Sequence, residues 1–514
     1  MRRWATILLA LFLFGTAGPT RAQINEQDSL ALVTLFNATD GPNWIDNTNW
    51  LTGPVSTWYG VTVDQVRVTK LALGINQLRG TIPPELGTLA FLTHLDLGAN
   101  QLSGAIPSEL GNLSNLEILD IQLNQLTGEL PSELSNLTNL SRLDIHENQL
   151  SGALPPELGN LTNLFSFYSR GNQFSGAIPP EFGNLATLSR LVLTGNQLSG
   201  DLPPELGNLT NLQVLRLEGN QLTGGLPPEF GNLTSLIILN IVGNQFNGEL
   251  PSELGNLSSL VFLDLGGNVP GFTGVIPPEL GSLTNLTRLT LDGNQLTGGI
   301  PSELGSLANL ITLSLSFNQL TGEIPSELGN LTNLTSLSLS SNQLTGALPT
   351  ELGNLGNLTH LYLADNLFSG ILPLSLINLS NLDTFYFDNT GLCEPVDPVF
   401  QAWLQGISRV QSTGCVSVAT EDIDERPRDF ALAQNYPNPF NPITHIRYAL
   451  SQSASVHLSI YDLRGRIVAV LVEGMEPAGR HEATFEAGTL PSGVYFYRLE
   501  AGTFHAVRPM LLLK

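Results

Sequence analysis

Residues 100–123 read NQLSGAIPSELGNLSNLEILDIQL, and Asn124 begins the same pattern again. Asparagines recur at 76, 100, 124, 148, 172, 196, 220, 244, 268, 294, 318, 342 and 366. The step is 24 residues, except that the stretch Val269-Pro270-Gly271 brings two extra residues between Asn268 and Asn294. One more unit follows, with Thr390 in the asparagine position. A fixed period of this length means stacked supersecondary units, and it decides the fold before any single residue is weighed.

Within a unit, Leu92, Leu95, Leu97 and Leu102 space out as L-x-x-L-x-L-x-x-N-x-L, and the alternation at Leu95 and Leu97 predicts a short strand with one buried face. One unit cannot bury its leucines alone, so neighbours stack and their strands form a long parallel sheet. The asparagine turns the chain out of the strand, and its amide can satisfy backbone groups that the turn buries. Gly104 and Pro107 then predict an irregular return on the convex side, with a short helical or 3₁₀ piece around residues 109–113. Some fourteen units at a strand spacing of about 4.8 Å give an arc of roughly 65 Å.

The pattern LxxLxLxxNxLxGxIPxxLGxL closely resembles the 24-residue leucine-rich repeat best known from plant receptor ectodomains. The resemblance covers residues 71–392 and implies an α/β-type leucine-rich repeat solenoid, with the parallel sheet concave and the convex side irregular or 3₁₀. It implies binding without naming a ligand, because such solenoids take peptides, proteins, glycans and hormones through variable positions.

The chain starts with Met1-Arg2-Arg3, an apolar run over 5–14 and small residues up to Ala22, the order of a secretory signal peptide cut after residue 22. No other run approaches a membrane span, so the mature chain is expected to carry none. Asp plus Glu number 45 against 21 Lys plus Arg, for a net charge of −24. Such a surface repels nucleic acid and anionic lipid, and neither is an expected partner.

Residues 23–70 read as an N-terminal cap, opened by a helix over 29–36 with Leu32, Leu35 and Phe36 on one face. Trp44, Trp50 and Trp58 follow, and the segment Ser56-Thr57-Trp58-Tyr59-Gly60-Val61-Thr62-Val63 resembles the plant-type cap pattern Cys-x-Trp-x-Gly-Val-x-Cys. Ser56 and Val63 stand at the cysteine positions, so this cap has no disulfide and must rely on tryptophan packing. A sugar-binding shelf is the alternative use of those rings. After the repeats, residues 393–418 read as a C-terminal cap: Asp397-Pro398 opens a helix with Val399, Phe400, Trp403 and Leu404 on one side, and Gly406 ends it. Cys393 and Cys415 are the two cysteines of an exported chain, so a disulfide closing the solenoid's end is expected.

Residues 419–434 read as a polar linker. Beyond them the period vanishes, and alternating runs at 444–450, 456–461, 467–472, 482–486, 494–500 and 504–513 predict a small β-sandwich over 435–514, Ig-like in size. This tail resembles the C-terminal sorting domain of bacterial type IX secretion cargo. The residues that carry the match are Asn435, Tyr436, Pro437, Asn438, Pro439, Phe440, Asn441 and Pro442; the run from Ile460 to Arg466; Leu490 to Tyr495 including Gly493; and the terminal Lys514. The resemblance implies export across both membranes, outer-membrane secretion machinery as a partner, and an extracellular or cell-surface destination.

Catalysis finds little support: there is no Gly-x-Ser-x-Gly elbow, His-Glu-x-x-His or phosphate loop. His94, His146 and His360 sit on repeat strands with no serine or cysteine partner at a defined spacing. Sequon-like triplets at Asn112, Asn160 and Asn208 are explained by the repeat itself. Residues between the strand leucines face the concave side and stack in columns, one per unit. Asp96, Asp120 and Asp144 form such a column. Three carboxylates there could hold a hard cation, but a solvated acidic face is preferred, and no metal or cofactor is expected.

Tyr168 continues the column of Asp144, and Arg170 that of His146; Arg142, Arg190, Arg216 and Glu218 stand nearby, whereas Ser314, Ser316, Ser338 and Ser340 make the later strands bland. Arginine and tyrosine are frequent interface anchors. The sector Arg142, Asp144, His146, Tyr168, Arg170, Arg190, Arg216 and Glu218 is therefore the candidate site for an extracellular protein or glycan ligand. A structural, matrix-like role without a discrete ligand is the alternative, with a hydrolase behind it.

Overall fold

The computed structural model describes residues 24–416, 430–502 and 504–513, and its contacts divide the chain into two compact units near residue 417. The signal-peptide reading of residues 1–22, most of the 419–434 linker and Lys514 lie outside the described residues.

In the first unit, the strand leucines direct three-residue strands such as His94–Asp96, Ile118–Asp120 and Arg142–Asp144, which pair in parallel with Leu95, Leu119 and Leu143 in one row. These belong to a sheet of 16 strands that starts with an antiparallel pair, Val61–Asp64 and Arg67–Ala72, and continues in parallel to Arg409–Gln411. One hydrophobic cluster runs along the sheet from Ala31 to Ile407. Each repeat contributes a 3₁₀ turn such as Ser108–Asn112, with Leu110 turned into that core. Gly111 stands there because neighbouring turns nearly touch: a Cβ on it would lie 2.3 Å from the carbonyl oxygen of Glu133 one unit on.

The return path is more regular than the sequence suggested. Gln101–Gly104 and its counterparts pair unit to unit, forming a second sheet of seven strands from Arg79–Thr81 to Gln221–Thr223. A further four strands run from Thr321–Gly322 to Gly391–Cys393. Between the two groups the return path keeps only isolated bridges, Glu249 with Thr273 and Val275 with Thr297. That is where Val269 and Pro270 lengthen the repeat and shift its register.

The asparagine ladder does what its chemistry allows. Asn196 Nδ2 donates to the carbonyls of Ser169 (3.1 Å) and Leu193 (3.0 Å), while its Oδ1 accepts from the N–H of Phe174 in the previous unit (3.0 Å). The same pattern recurs from Asn124 to Asn366 with few exceptions; Asn268, displaced by the insertion, accepts from Asn244 N instead.

The N-terminal cap helix spans Glu26–Ala38, with Asn25 accepting from Gln27 N and Asp28 N. Trp44, Trp50 and Trp58 are only 4–6% exposed and pack on one another and on Phe36 at 4.7–5.2 Å between ring centroids, so they are core and not a sugar shelf. An ion pair that the sequence did not reveal stabilises this cap: Asp28, fully buried, accepts from Arg67 Nη2 (2.9 Å), Arg67 Nε (3.0 Å) and Val68 N (2.9 Å).

At the other end, helix Pro398–Gly406 is capped by Asp397, buries Phe400 and Leu404 and packs Trp403 against the core. Val399 departs from expectation: it is 62% exposed, because it lies about a third of a turn off the face set by Phe400 and Leu404. Cys393 and Cys415 are disulfide-bonded.

The second unit has an antiparallel strand at each run that the sequence marked: Ile443–Leu450, Ala454–Tyr461, Ile467–Glu476, Gly479–Glu486, Gly493–Ala501 and Phe504–Leu512. Together with the short strand Ala431–Leu432 they form a three-stranded and a four-stranded sheet over a core that includes Phe440, Ile446, Leu458, Tyr497 and Leu499. That short strand pairs with Tyr448 and Ala449, so the end of the expected linker is already part of this unit. Tyr497 Oη ties the start of the unit down, accepting from Asn435 N and donating to the carbonyl of Ala433, both at 2.7 Å.

Candidate functional site

Strand alternation turns the variable positions of the repeats onto the concave face, and parallel register brings those of neighbouring units side by side. Tyr168 aligns with Asp144 on one side and Val192 on the other, and Val192 with Arg216. The result is a depression of about 460 Å³ lined by His146, Tyr168, Arg170, Arg190, Arg216 and Glu218, with Val192, Thr194, Val214 and Ile238 as its apolar and hydroxyl floor.

Six of the eight candidate residues therefore meet in one concavity. The other two support it. Asp144 was expected on the open face, yet it is only 2% exposed, held by Arg142 Nη2 at 2.7 Å and His146 Nδ1 at 2.5 Å. The long side chains beside it cover the short carboxylate. Arg142 also reaches Asp120 (3.5 Å) and lies over the Tyr168 ring, 5.7 Å from its centroid, which fixes that ring from behind. Arg142 thus enters the aspartate column, and among the described residues no group of three or more His, Cys, Asp or Glu is placed to hold a metal.

The three arginines that line the depression differ in their commitments. Arg170 lies 3.4 Å from Glu147, and Arg216 3.9 Å from Glu218, contacts too long and exposed to hold either firmly. Glu218 is engaged elsewhere, accepting from Thr194 Oγ1 (2.7 Å) and Asn240 Nδ2 (2.8 Å). Arg190 has no carboxylate partner among the described residues and rests over the Phe165 ring at 5.5 Å. Buried carboxylates outside the depression carry shifted protonation: burial, then Asp144 and Asp96, push Asp120 up to about 6, and burial raises Asp264 and Asp292.

One feature escaped the sequence reading. The residue before each repeat asparagine has positive φ, and it is glycine in six consecutive units: Gly171, Gly195, Gly219, Gly243, Gly267 and Gly293. Earlier and later units carry side chains there, including Leu123, Glu147, Phe317 and Asp365. A strip without side chains therefore runs along the concave face beside the depression. The signal was in the sequence, but only the register of the stacked units shows that the glycines adjoin.

Family models describe the same two parts. A leucine-rich repeat region matches residues 180–297, and leucine-rich repeats match 284–344, 91–113, 115–137, 139–161 and 357–379. A secretion system C-terminal sorting domain matches residues 434–511. No curated protein matches the chain by sequence. Among solved structures, PEPR1 with AtPEP1 is 33% identical, with 73% of this chain and 57% of that one covered and a TM-score of 0.66. The plant peptide hormone receptor RGFR1 with RGF2 is 35% identical over 66% of this chain and 57% of that one, with a TM-score of 0.61. The Arabidopsis receptor kinase HAESA, in complex with the peptide hormone IDA and the co-receptor SERK1, is 33% identical over 74% and 68%, with a TM-score of 0.62. The chain thus spans less than two thirds of the length of the first two. Among the described residues no helix is long and apolar enough to cross a membrane.

Proposed function

From the premise that this chain belongs to the leucine-rich repeat family and ends in a secretion system C-terminal sorting domain, we propose that it is a secreted or cell-surface binding protein that takes a protein or peptide ligand on its concave face. The chain is read as cargo of a type IX-like system and as a binder without catalytic activity. The ligand lies against Tyr168, Arg170, Arg190 and Arg216, while Arg142 and Asp144 hold the tyrosine and His146 in position. The observation that carries this reading is Arg190, a guanidinium without a carboxylate partner among the described residues of a chain of net charge −24, set in the concavity between two weakly paired arginines. Planar donors held in this way suit ligand carboxylates. The adjoining glycine strip gives an extended backbone room to lie flat, and the similar structures include the peptide hormone receptor RGFR1 with RGF2 and HAESA with the peptide hormone IDA.

The test is selection from a random peptide phage library on the full chain, followed by affinity measurement on a Tyr168→Ala/Arg170→Ala variant. The expected loss is tenfold or more, about 1.4 kcal/mol, with the melting temperature unchanged. Selected peptides that bind the variant as they bind the parent, but lose binding when Ser314 and Ser338 are made bulky, would move the site to the later repeats and refute this one.

A further inference from the structure

The last concave strands carry a second cluster that the arginine sector does not use. Parallel register sets Ser338, Tyr362, Tyr386 and Gln411 in one row. The rings of Tyr362 and Tyr386 meet edge to face, 5.3 Å between centroids and 70° between planes, and His360 lies 6.0 Å from Tyr362. Both tyrosines are half-buried, and among the described residues no protein group bonds either phenol. Asp388 lies two residues beyond Tyr386 on the same face and is part-exposed.

We propose that this cluster is a binding site for a neutral glycan chain. A sugar ring offers an apolar C–H face and a rim of hydroxyls. The half-exposed tyrosine rings take the face, and the free phenols, the Gln411 amide and the Asp388 carboxylate take the rim. Few polar groups around aromatic surface is the usual composition of such sites.

Charge excludes an acidic polysaccharide: the strands and turns that carry the rings include Asp365, Asp383 and Asp388, and the adjoining strand adds a single arginine, Arg409, in a chain of net charge −24. A peptide fits less well here than in the earlier sector. The glycine strip ends at Gly293, and the corresponding positions beside the tyrosines carry Ser341, Asp365 and Asn389, with Asn389 Nδ2 donating to Asp365 Oδ1 at 2.8 Å. Those side chains crowd a flat backbone but add donors and acceptors for hydroxyls.

The experiment is affinity electrophoresis of the full chain through gels containing xyloglucan, galactomannan or laminarin, with alginate as the acidic control. One neutral polysaccharide is expected to retard the protein, and alginate is not. Tyr362→Ala/Tyr386→Ala should weaken that retardation at least tenfold, and Asp388→Asn and Gln411→Ala, which keep both rings, at least threefold each. Arg190→Ala/Arg216→Ala should leave it unchanged, which separates this site from the peptide site. No retardation by any neutral polymer, retardation by alginate, or retardation that survives both the tyrosine variant and the two ring-preserving variants would overturn the proposal. So would a peptide selected on the chain whose binding depends on Tyr362.

Discussion

At the scale of single residues, the fold depends on polar groups that are satisfied only across units. Asn196 serves a backbone N–H in one unit and carbonyls in two. Its replacement by alanine leaves a buried donor and acceptors unpaired, at about 1–3 kcal/mol each. We expect Asn196→Ala to lose at least about 2 kcal/mol in urea denaturation, and a loss below about 0.5 kcal/mol would contradict the ladder's role. Ser169 is the opposite case. It stands where neighbouring units have Ile145 and Leu193, is fully buried, and its hydroxyl has no partner among the described residues. Nearby, Phe167 and Phe174 stand where neighbouring units have leucines, and both are fully buried. Ser169→Ala should therefore stabilise the protein by about 1 kcal/mol.

Asp120 links a residue to pH. Burial and the carboxylates of Asp144 and Asp96 raise it to about 6, against the opposite pull of Gln122 N and Arg142. The folded state thus holds this proton more tightly than the unfolded chain. Its stabilising contribution is complete below the ordinary carboxylate range and is lost as pH rises through about 6. The melting temperature should fall between pH 4 and pH 7, and Asp120→Asn should make that fall shallower. Asp264 and Asp292 share the sign, so the difference between parent and variant is the quantity to compare.

At the scale of elements, the two ends of the solenoid solve one problem differently. The first strand pair is covered by the Glu26–Ala38 helix, three packed indoles and the buried Asp28–Arg67 pair, with no disulfide. The last edge is covered by Arg409–Gln411, the Pro398–Gly406 helix and the Cys393–Cys415 bond. Closing a loop with a sequence separation of 22 contributes about 3 kcal/mol in the chain-entropy model. Because repeats contact chiefly their neighbours, the effect of opening it should stay local. Limited proteolysis of a Cys393→Ser/Cys415→Ser variant should cut first between residues 360 and 416 and leave the N-terminal repeats protected; uniform cleavage along the chain would argue against this.

At the scale of the whole molecule, the proposed binding surface and the sorting domain occupy separate units. The sorting residues divide into buried and displayed. Asn435, Phe440 and Tyr495 are part of the small domain's core, and Tyr436 is 80% exposed, available to a partner. Deleting residues 430–514 should leave the protein in the periplasm, as fractionation of expressing cells would reveal. Unchanged levels in the medium or at the surface would refute the tail's role. A Tyr436→Ala variant tests the same idea without removing the domain, and should reduce export while leaving the domain folded.

The sequence by itself determined the solenoid, because a 24-residue period with leucines at fixed offsets leaves one way to bury them: stacking in parallel register. It also determined the strands of the tail, where apolar alternation between turn residues is a local signal, and the C-terminal cap helix, whose Asp397-Pro398 start is local chemistry too. What only the tertiary structure decided lies between units. The second sheet depends on how Gln101–Gly104 meets its counterparts, and the Asp28–Arg67 pair joins residues 39 apart. The burial of Asp144 beneath Arg142 and His146, the freedom of Arg190, the adjacency of six glycines and the meeting of Tyr362 with Tyr386 all follow from register across the sheet. A period fixes which residues share a column. Which side chain covers which depends on reach, charge and packing among neighbours, and those are settled only when the units stack.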